Sequence, residues 1–161
     1  MKNKTVVQSW LTILTLCVGS TTLAAMINGR VVGVTDGDTL TLLIDGHDQI
    51  KIRLVEIDAP EKKQAFGNRS KQSLSDLCYN KEAQVDDKGH DRYGRTLGRV
   101  YCDGVDTNAA QIKSGMAWVY DKYVTDRSLY LLQDEARKER RGLWADSDPM
   151  PPWEWRHLKQ N

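Results

Sequence analysis

The sequence predicts an α+β domain, a small closed five-stranded β-barrel with three helices appended. Three observations carry that expectation. Five short stretches have strand composition, turn dipeptides punctuate them, and three other stretches switch to helical spacing.

The first strand is expected over residues 28–35, short and β-branched. Asp36-Gly37-Asp38 reads as a turn. The second strand covers residues 39–44 and ends at Asp45-Gly46, a hairpin signal. Residues 49–57 alternate strictly and form the third strand, which Pro60 stops. Residues 66–80 are helical, with Leu74, Leu77 and Cys78 on one face. Residues 83–88 and 96–101 supply two more strands, and Asp103-Gly104 turns the chain. Thr107 or Asn108 is expected to cap a short helix running to Gly115. Residues 126–141 form a long helix, with Leu129, Leu132 and Ala136 inward and Gly142 as its stop. The tail from Pro149 carries three prolines and two tryptophans and reads as an extended strap over the domain. Five strands with three helices suit a barrel of the OB type.

The first residues stand apart. Lys2 and Lys4 precede a short apolar run from Trp10 to Val18, and small residues follow to Ala25. That is the layout of a secretory signal, with cleavage after Ala24 or Ala25. The run is too short to span a bilayer, which argues against an anchor. Leu16 before Cys17 argues against a lipoprotein signal. The expected organisation is a signal peptide over 1–24, one domain over 25–148 and the strap over 149–161. The mature protein is then secreted or periplasmic and free of the membrane. Loss of two lysines takes the formal charge from +1 to −1. No bulk basic footprint for nucleic acid remains, so any phosphate binding rests on locally placed arginines. Export also bears on the cysteines. Cys17 leaves with the signal, and Cys78 and Cys102 remain as a pair suited to a disulfide. Two buried free thiols are the alternative, whereas zinc lacks the ligand spacing it needs.

Three clusters can carry chemistry: Asp36-Gly-Asp-Thr39, Arg53-Leu-Val-Glu-Ile-Asp58-Ala-Pro-Glu61 and Asp91-Arg-Tyr-Gly-Arg95. Taken singly, they read as a turn, a strand residue in an ion pair and a charged hairpin loop. Together they match the needs of phosphodiester cleavage. A hard cation takes carboxylate oxygens, here from Asp38 and Asp58. Arginine forks suit the charge gathering on phosphoryl oxygens, here Arg53 and Arg95. A carboxylate such as Glu61 can orient or deprotonate water. Strand alternation puts Arg53 and Asp58 on opposite faces, so they converge only if the strand twists or ends before Asp58.

In order and spacing, the three motifs resemble the staphylococcal nuclease (thermonuclease) family. The resemblance continues through Asp103-Gly104, Asn108, Gly115-Met-Ala117 and Gly142-Leu-Trp144, over roughly residues 28–145. The tail Pro152-Trp-Glu-Trp-Arg156 is similar to that of exported Gram-negative members. The resemblance implies an OB-fold and a monomeric, calcium-dependent endonuclease acting on DNA and RNA and leaving 3′-phosphate ends. It implies Asp38, Asp58 and the Ala59 carbonyl as Ca2+ ligands, Glu61 as base or water orienter, and Arg53 and Arg95 on the phosphate. Tyr93 matches a tyrosine near the nucleotide phosphate, and Tyr123 one that packs against the base. The family pattern has Thr at Ala59 and a longer loop between Glu61 and Gly67. Asp121 replaces a further nucleotide-facing tyrosine, for which Tyr120 is the candidate substitute.

Two rivals come from other classes. A non-catalytic nucleic-acid-binding OB module needs no Asp38, Asp58 or Glu61, since carboxylates repel phosphate. An exported interaction domain would use the Pro/Trp tail as its contact surface. His47, His90 and His157 are isolated, the Arg137–Arg141 run reads as a solvated helix face, and Trp118, Trp144, Trp153 and Trp155 read as core and strap.

Overall fold

A computed structural model of the chain describes residues 26–158. The expected signal peptide lies outside the described residues. Among those residues, no helix is long and apolar enough to cross a membrane.

Strands β1 (Met26–Val34), β2 (Thr39–Ile44) and β3 (Asp48–Leu54) form an antiparallel meander. The β2–β3 turn has Asp45 and Gly46 both at positive φ, 50° and 78°. Three residues, Asp45 to His47, connect the paired Ile44 and Asp48, and Asp-Gly adopts positive φ at little cost. After the two-residue β4 (Ile57–Asp58) comes helix α1 (Gly67–Cys78), then β5 (Glu82–His90) and β6 (Thr96–Cys102). β5 pairs with β1 and β6 with β5, both antiparallel. Parallel pairing of β3 with β6, Ile52 opposite Thr96 and Leu54 opposite Gly98, closes five strands into a barrel. The α+β, OB-like reading holds.

Helix α2 (Thr107–Lys113) follows β7 (Val105–Asp106), and β8 (Trp118–Val119) pairs with β4. The cap of α2 is Asp106, whose carboxylate accepts from the Ala109 N–H, not Thr107 or Asn108. Asn108 is turned inward instead. It accepts from the Val100 N–H and donates to the Val55 carbonyl, satisfying buried backbone that a capping role would leave open. Helix α3 (Ser128–Lys138) is shorter than expected at its end. The chain leaves the helix at Arg140, with φ 54°, so that Gly142 can reach Gly115. The Leu143 N–H donates to the Gly115 carbonyl at 2.8 Å, and a Cβ on either glycine would sit 2.2 Å from backbone oxygen.

The expected extended strap is a fourth helix, α4 (Pro152–Leu158). Three prolines suggested an extended tail, but the last one opens the helix, where its missing N–H costs nothing. Trp153 packs on the small core formed by Trp118, Ala136, Leu143 and Trp144. Arg137 lies over the Trp144 ring at 4.3 Å, so the basic run of α3 is partly a lid on this core rather than a wholly solvated face. Inside the barrel, Val31, Leu40, Leu42, Ile52, Leu54, Val85 and Val100 are fully buried and meet Leu74, Ile112 and Leu129 from the helices. A disulfide joins Cys78 at the end of α1 to Cys102 at the end of β6. In the chain-entropy model a loop of this size contributes about 3–4 kcal/mol.

Candidate active site

The turn between β1 and β2 presents the first carboxylate. The Asp36 side chain accepts from the Asp38 N–H, which folds the turn on itself. Gly37 lies against α1, where an added Cβ would come within 1.7 Å of the Ser70 Oγ. The buried Gln111 of α2 donates to the Gly37 carbonyl at 2.7 Å and the Ser70 carbonyl at 3.2 Å. Asp38 therefore points inward from a fixed loop, and it is buried. Burial pushes its carboxyl up, to about 7. The Arg53 guanidinium opposes this rise, while Asp36 and Asp58 add to it.

The second carboxylate comes from a break in the third strand. β3 ends at Leu54, whose N–H donates to the Asp38 carbonyl. Glu56 then takes a left-handed conformation, φ 65°, and the chain resumes as β4. Glu56 accepts from the Thr125 N–H and hydroxyl, the Asp126 N–H and Arg99. Burial raises the Glu56 carboxyl, but these hydrogen bonds and the Arg99 charge outweigh it and hold the pKa below its usual value. That network keeps the unfavourable backbone in place.

The break lets Arg53 and Asp58 meet. Arg53 folds back over the turn, and its Nη1 donates to the Leu54 and Ile57 carbonyls at 2.6 and 3.0 Å. Its Nη2 lies 2.9 Å from Asp58 Oδ1 and 3.1 Å from Asp38 Oδ2. The Ala59 N–H donates to Asp38 Oδ2 at 2.6 Å, so residue 59 touches the first carboxylate directly. Two buried acids thus share one nitrogen.

Glu61 follows Pro60 in a short turn ordered by Gln64. The Gln64 side chain accepts from the Glu61 N–H and donates to the Met150 carbonyl, tying the turn to the segment before α4. Glu61 joins Asp58 through a residue that the tail motif contains but to which the sequence assigns no role. Arg156 of α4 donates to Asp58 Oδ2 at 2.7 Å and to Glu61 Oε1 at 2.8 Å. Nothing local marks a role for Arg156, Gln64 or Gln111. They act across 95, 86 and 74 residues of chain, respectively.

Arg95 sits beside this centre without joining it. It precedes Thr96, which faces Ile52 next to Arg53 on the neighbouring strand. Its guanidinium pairs with Asp91 at 2.7 Å, and Asp91 also accepts from the Tyr93 and Arg95 N–H groups. Burial raises the Asp91 carboxyl, but hydrogen bonds from the Arg95 N–H and side chain and the Tyr93 N–H, with the Arg95 charge, together outweigh it and hold the pKa below its usual value. Tyr93 is exposed, with its ring 5.6 Å from the Arg95 guanidinium carbon. Tyr123 is exposed as well and lies edge-on to Tyr120. One face of Tyr120 is covered by Trp153, stacked at 5.5 Å and 2°, so that face is closed to a base. The His90 ring lies 3.5 Å from the Thr96 hydroxyl, and among the described residues no acid is paired with it.

Acids and arginines gathered in this way offer the groups that phosphodiester cleavage needs. The family model described as "Staphylococcal nuclease homologue" matches residues 51–146. This chain belongs to the staphylococcal nuclease family. It is 51% identical over 138 residues to an "Uncharacterized endonuclease" of Escherichia coli O157:H7, covering 85% of this chain and 90% of that protein. It is 45% identical over 144 residues to a "Micrococcal nuclease" of Shigella flexneri, covering 83% and 82%. A protein of Haemophilus influenzae, also called "Uncharacterized endonuclease", is 50% identical over 131 residues, covering 81% and 74%. The protein is a nuclease, a hydrolase of phosphodiester bonds.

The donor set fits a hard cation in kind. Asp38 and Asp58 offer carboxylate oxygens to one point, now taken by an arginine nitrogen. Among the described residues, no three His, Cys, Asp or Glu side chains form a metal cage. An ion here would lean on these two carboxylates, on backbone oxygen and on water.

Proposed function

We propose that this nuclease is a calcium-dependent endonuclease of DNA and RNA that acts as an exported monomer. The observation that carries the reading is the placement of Arg53 Nη2 between Asp38 and Asp58. Asp38, Asp58 and the Ala59 carbonyl would hold Ca2+, which supplies Lewis-acid polarisation of a phosphoryl oxygen. Arg53 at the end of β3 and Arg95 in the loop before β6 hold the phosphate and stabilise charge that builds on its oxygens. Their forks suit two oxygens at once, which an ammonium group does not. Glu61, half-exposed at the rim, orients the attacking water. Tyr93 and Tyr123 lie at the surface, where a nucleotide can reach them. The charged segment ahead of residue 25 and the cysteine pair support export to the periplasm or medium.

The test is digestion of 5′-labelled DNA and RNA oligonucleotides of mixed sequence in calcium. Internal cleavage of both, with products whose mobility changes after phosphatase removes a 3′-phosphate, is the expected result. Products with 3′-hydroxyl ends, or cleavage of one nucleic acid only, would contradict it.

A further inference from the structure

Helix α4 delivers a guanidinium into the acid cluster. Arg156 Nη2 lies 2.7 Å from Asp58 Oδ2, and Nη1 lies 3.3 Å from Asp58 Oδ1 and 2.8 Å from Glu61 Oε1. With Arg53 on Oδ1, both Asp58 oxygens already accept from guanidinium groups. The Asp58 side chain is 2% exposed, so a cation reaching it meets one of these two arginines.

The two arginines are held differently. Arg53 is bound to two backbone carbonyls as well as the acids, and it is 13% exposed. Moving it would strip the Leu54 and Ile57 carbonyls of a buried donor. Arg156 is 38% exposed, and among the described residues its side-chain polar contacts are to Asp58 and Glu61. It can leave by rotation of its own side chain. Its helix need not move, because Trp153 is stacked on Tyr120 and edge-on to Trp118 at 5.7 Å, and Gln64 holds the Met150 carbonyl.

Charge points the same way. In the ionised form that binds a cation, Asp38, Asp58 and Glu61 against Arg53 and Arg156 leave one net negative charge. Without Arg156 the cluster carries two, which matches a divalent ion.

We propose that Arg156 is a tethered cation that competes with the divalent metal for Asp58 and thereby sets the metal affinity of the site. In the metal-free protein it neutralises acids that would otherwise repel one another. Arg156 would release Asp58 when a divalent ion is bound. This rests on the calcium reading above.

The experiment is calorimetric titration of CaCl2 into the purified protein and its Arg156→Gln and Arg156→Lys variants, without nucleic acid. The Gln variant is expected to bind calcium about tenfold more tightly, since a unit charge a few ångströms away is removed. The Lys variant keeps the charge and stays near the parent. In thermal melts, calcium should raise the Tm of the Gln variant more than that of the parent. Equal or weaker binding by the Gln variant overturns the proposal while leaving the calcium reading intact. An equal gain in Gln and Lys variants also overturns it, because packing of α4 and not charge would be the cause. No calcium binding by any of the three overturns both.

Discussion

Arg53 Nη2 lies 2.9 Å from Asp58 Oδ1, although strand alternation would put these residues on opposite faces of one strand. The left-handed Glu56 between them breaks the strand, and Arg53 folds across the break to hold both its carbonyls and its acid. Arg53 is thus a structural clamp as well as the expected phosphate ligand. Arg53→Lys should lower nuclease rate and also destabilise the fold by about 1–3 kcal/mol, as two buried carbonyls lose their donor. Urea unfolding of the variant with full parental stability would show that the clamp carries no weight.

Arg95 gives the cleaner probe of the phosphate contact. It is partly exposed and pairs with Asp91 in its own loop. Arg95→Lys should cut kcat by about 10²–10³-fold with an unchanged melting temperature, because a point charge replaces a fork. Wild-type kcat in this variant would remove Arg95 from the centre.

Gly37 is expected to admit no side chain. A methyl group there meets the Ser70 Oγ at 1.7 Å, and Ser70 is fully buried. Gly37→Ala should cost about 1–3 kcal/mol by overpacking and should reduce activity by shifting Asp38. The double variant Gly37→Ala, Ser70→Ala should recover part of the stability. No recovery in denaturant unfolding would place the strain elsewhere.

Acid stability should depend on Asp126. Its carboxylate accepts from the Ser128 hydroxyl and N–H and from Arg99. The Ser128 hydroxyl bond lowers its pKa most, burial opposes this, and the Ser128 N–H and Arg99 lower it further. A depressed folded-state pKa contributes stability that is present above the ordinary value of 3.8 and lost as pH falls through the folded value. Asp126→Asn should therefore be less stable than the parent at neutral pH, with the gap in Tm closing below about pH 4. A gap that stays constant from pH 7 to pH 3 would contradict the pairing.

The disulfide makes a separate prediction. The Cys78→Ala, Cys102→Ala double variant should lose about 3–4 kcal/mol in denaturant unfolding, the loop-closure contribution. A loss under about 1 kcal/mol would mean that the unfolded chain is already constrained in this region.

What was legible in the sequence was local. The Asp-Gly turns, the alternating strands and the helical spacing each depend on residues close together in the chain, so their composition reveals them. The first two motifs marked Asp38, Arg53, Asp58 and Glu61, and the third Arg95, because each set is close together in the chain. Helix α4 was not legible, because Pro149, Pro151 and Pro152 favour extended chain until Pro152 takes a first-turn position. Asn108 has the composition of a cap, but buried backbone at Val55 and Val100 claims its side chain. Arg156, Gln64 and Gln111 work across long stretches of chain, and no spacing rule reaches that far.

The most direct measurement is the digestion of closed circular plasmid DNA by the purified protein, with calcium and then with excess chelator. Conversion to open circular and linear forms in calcium, abolished by the chelator and restored by added calcium, is the predicted result. Cutting that persists in chelator, or no cutting by folded protein in millimolar calcium, would contradict a calcium-dependent endonuclease centred on Asp38, Arg53 and Asp58.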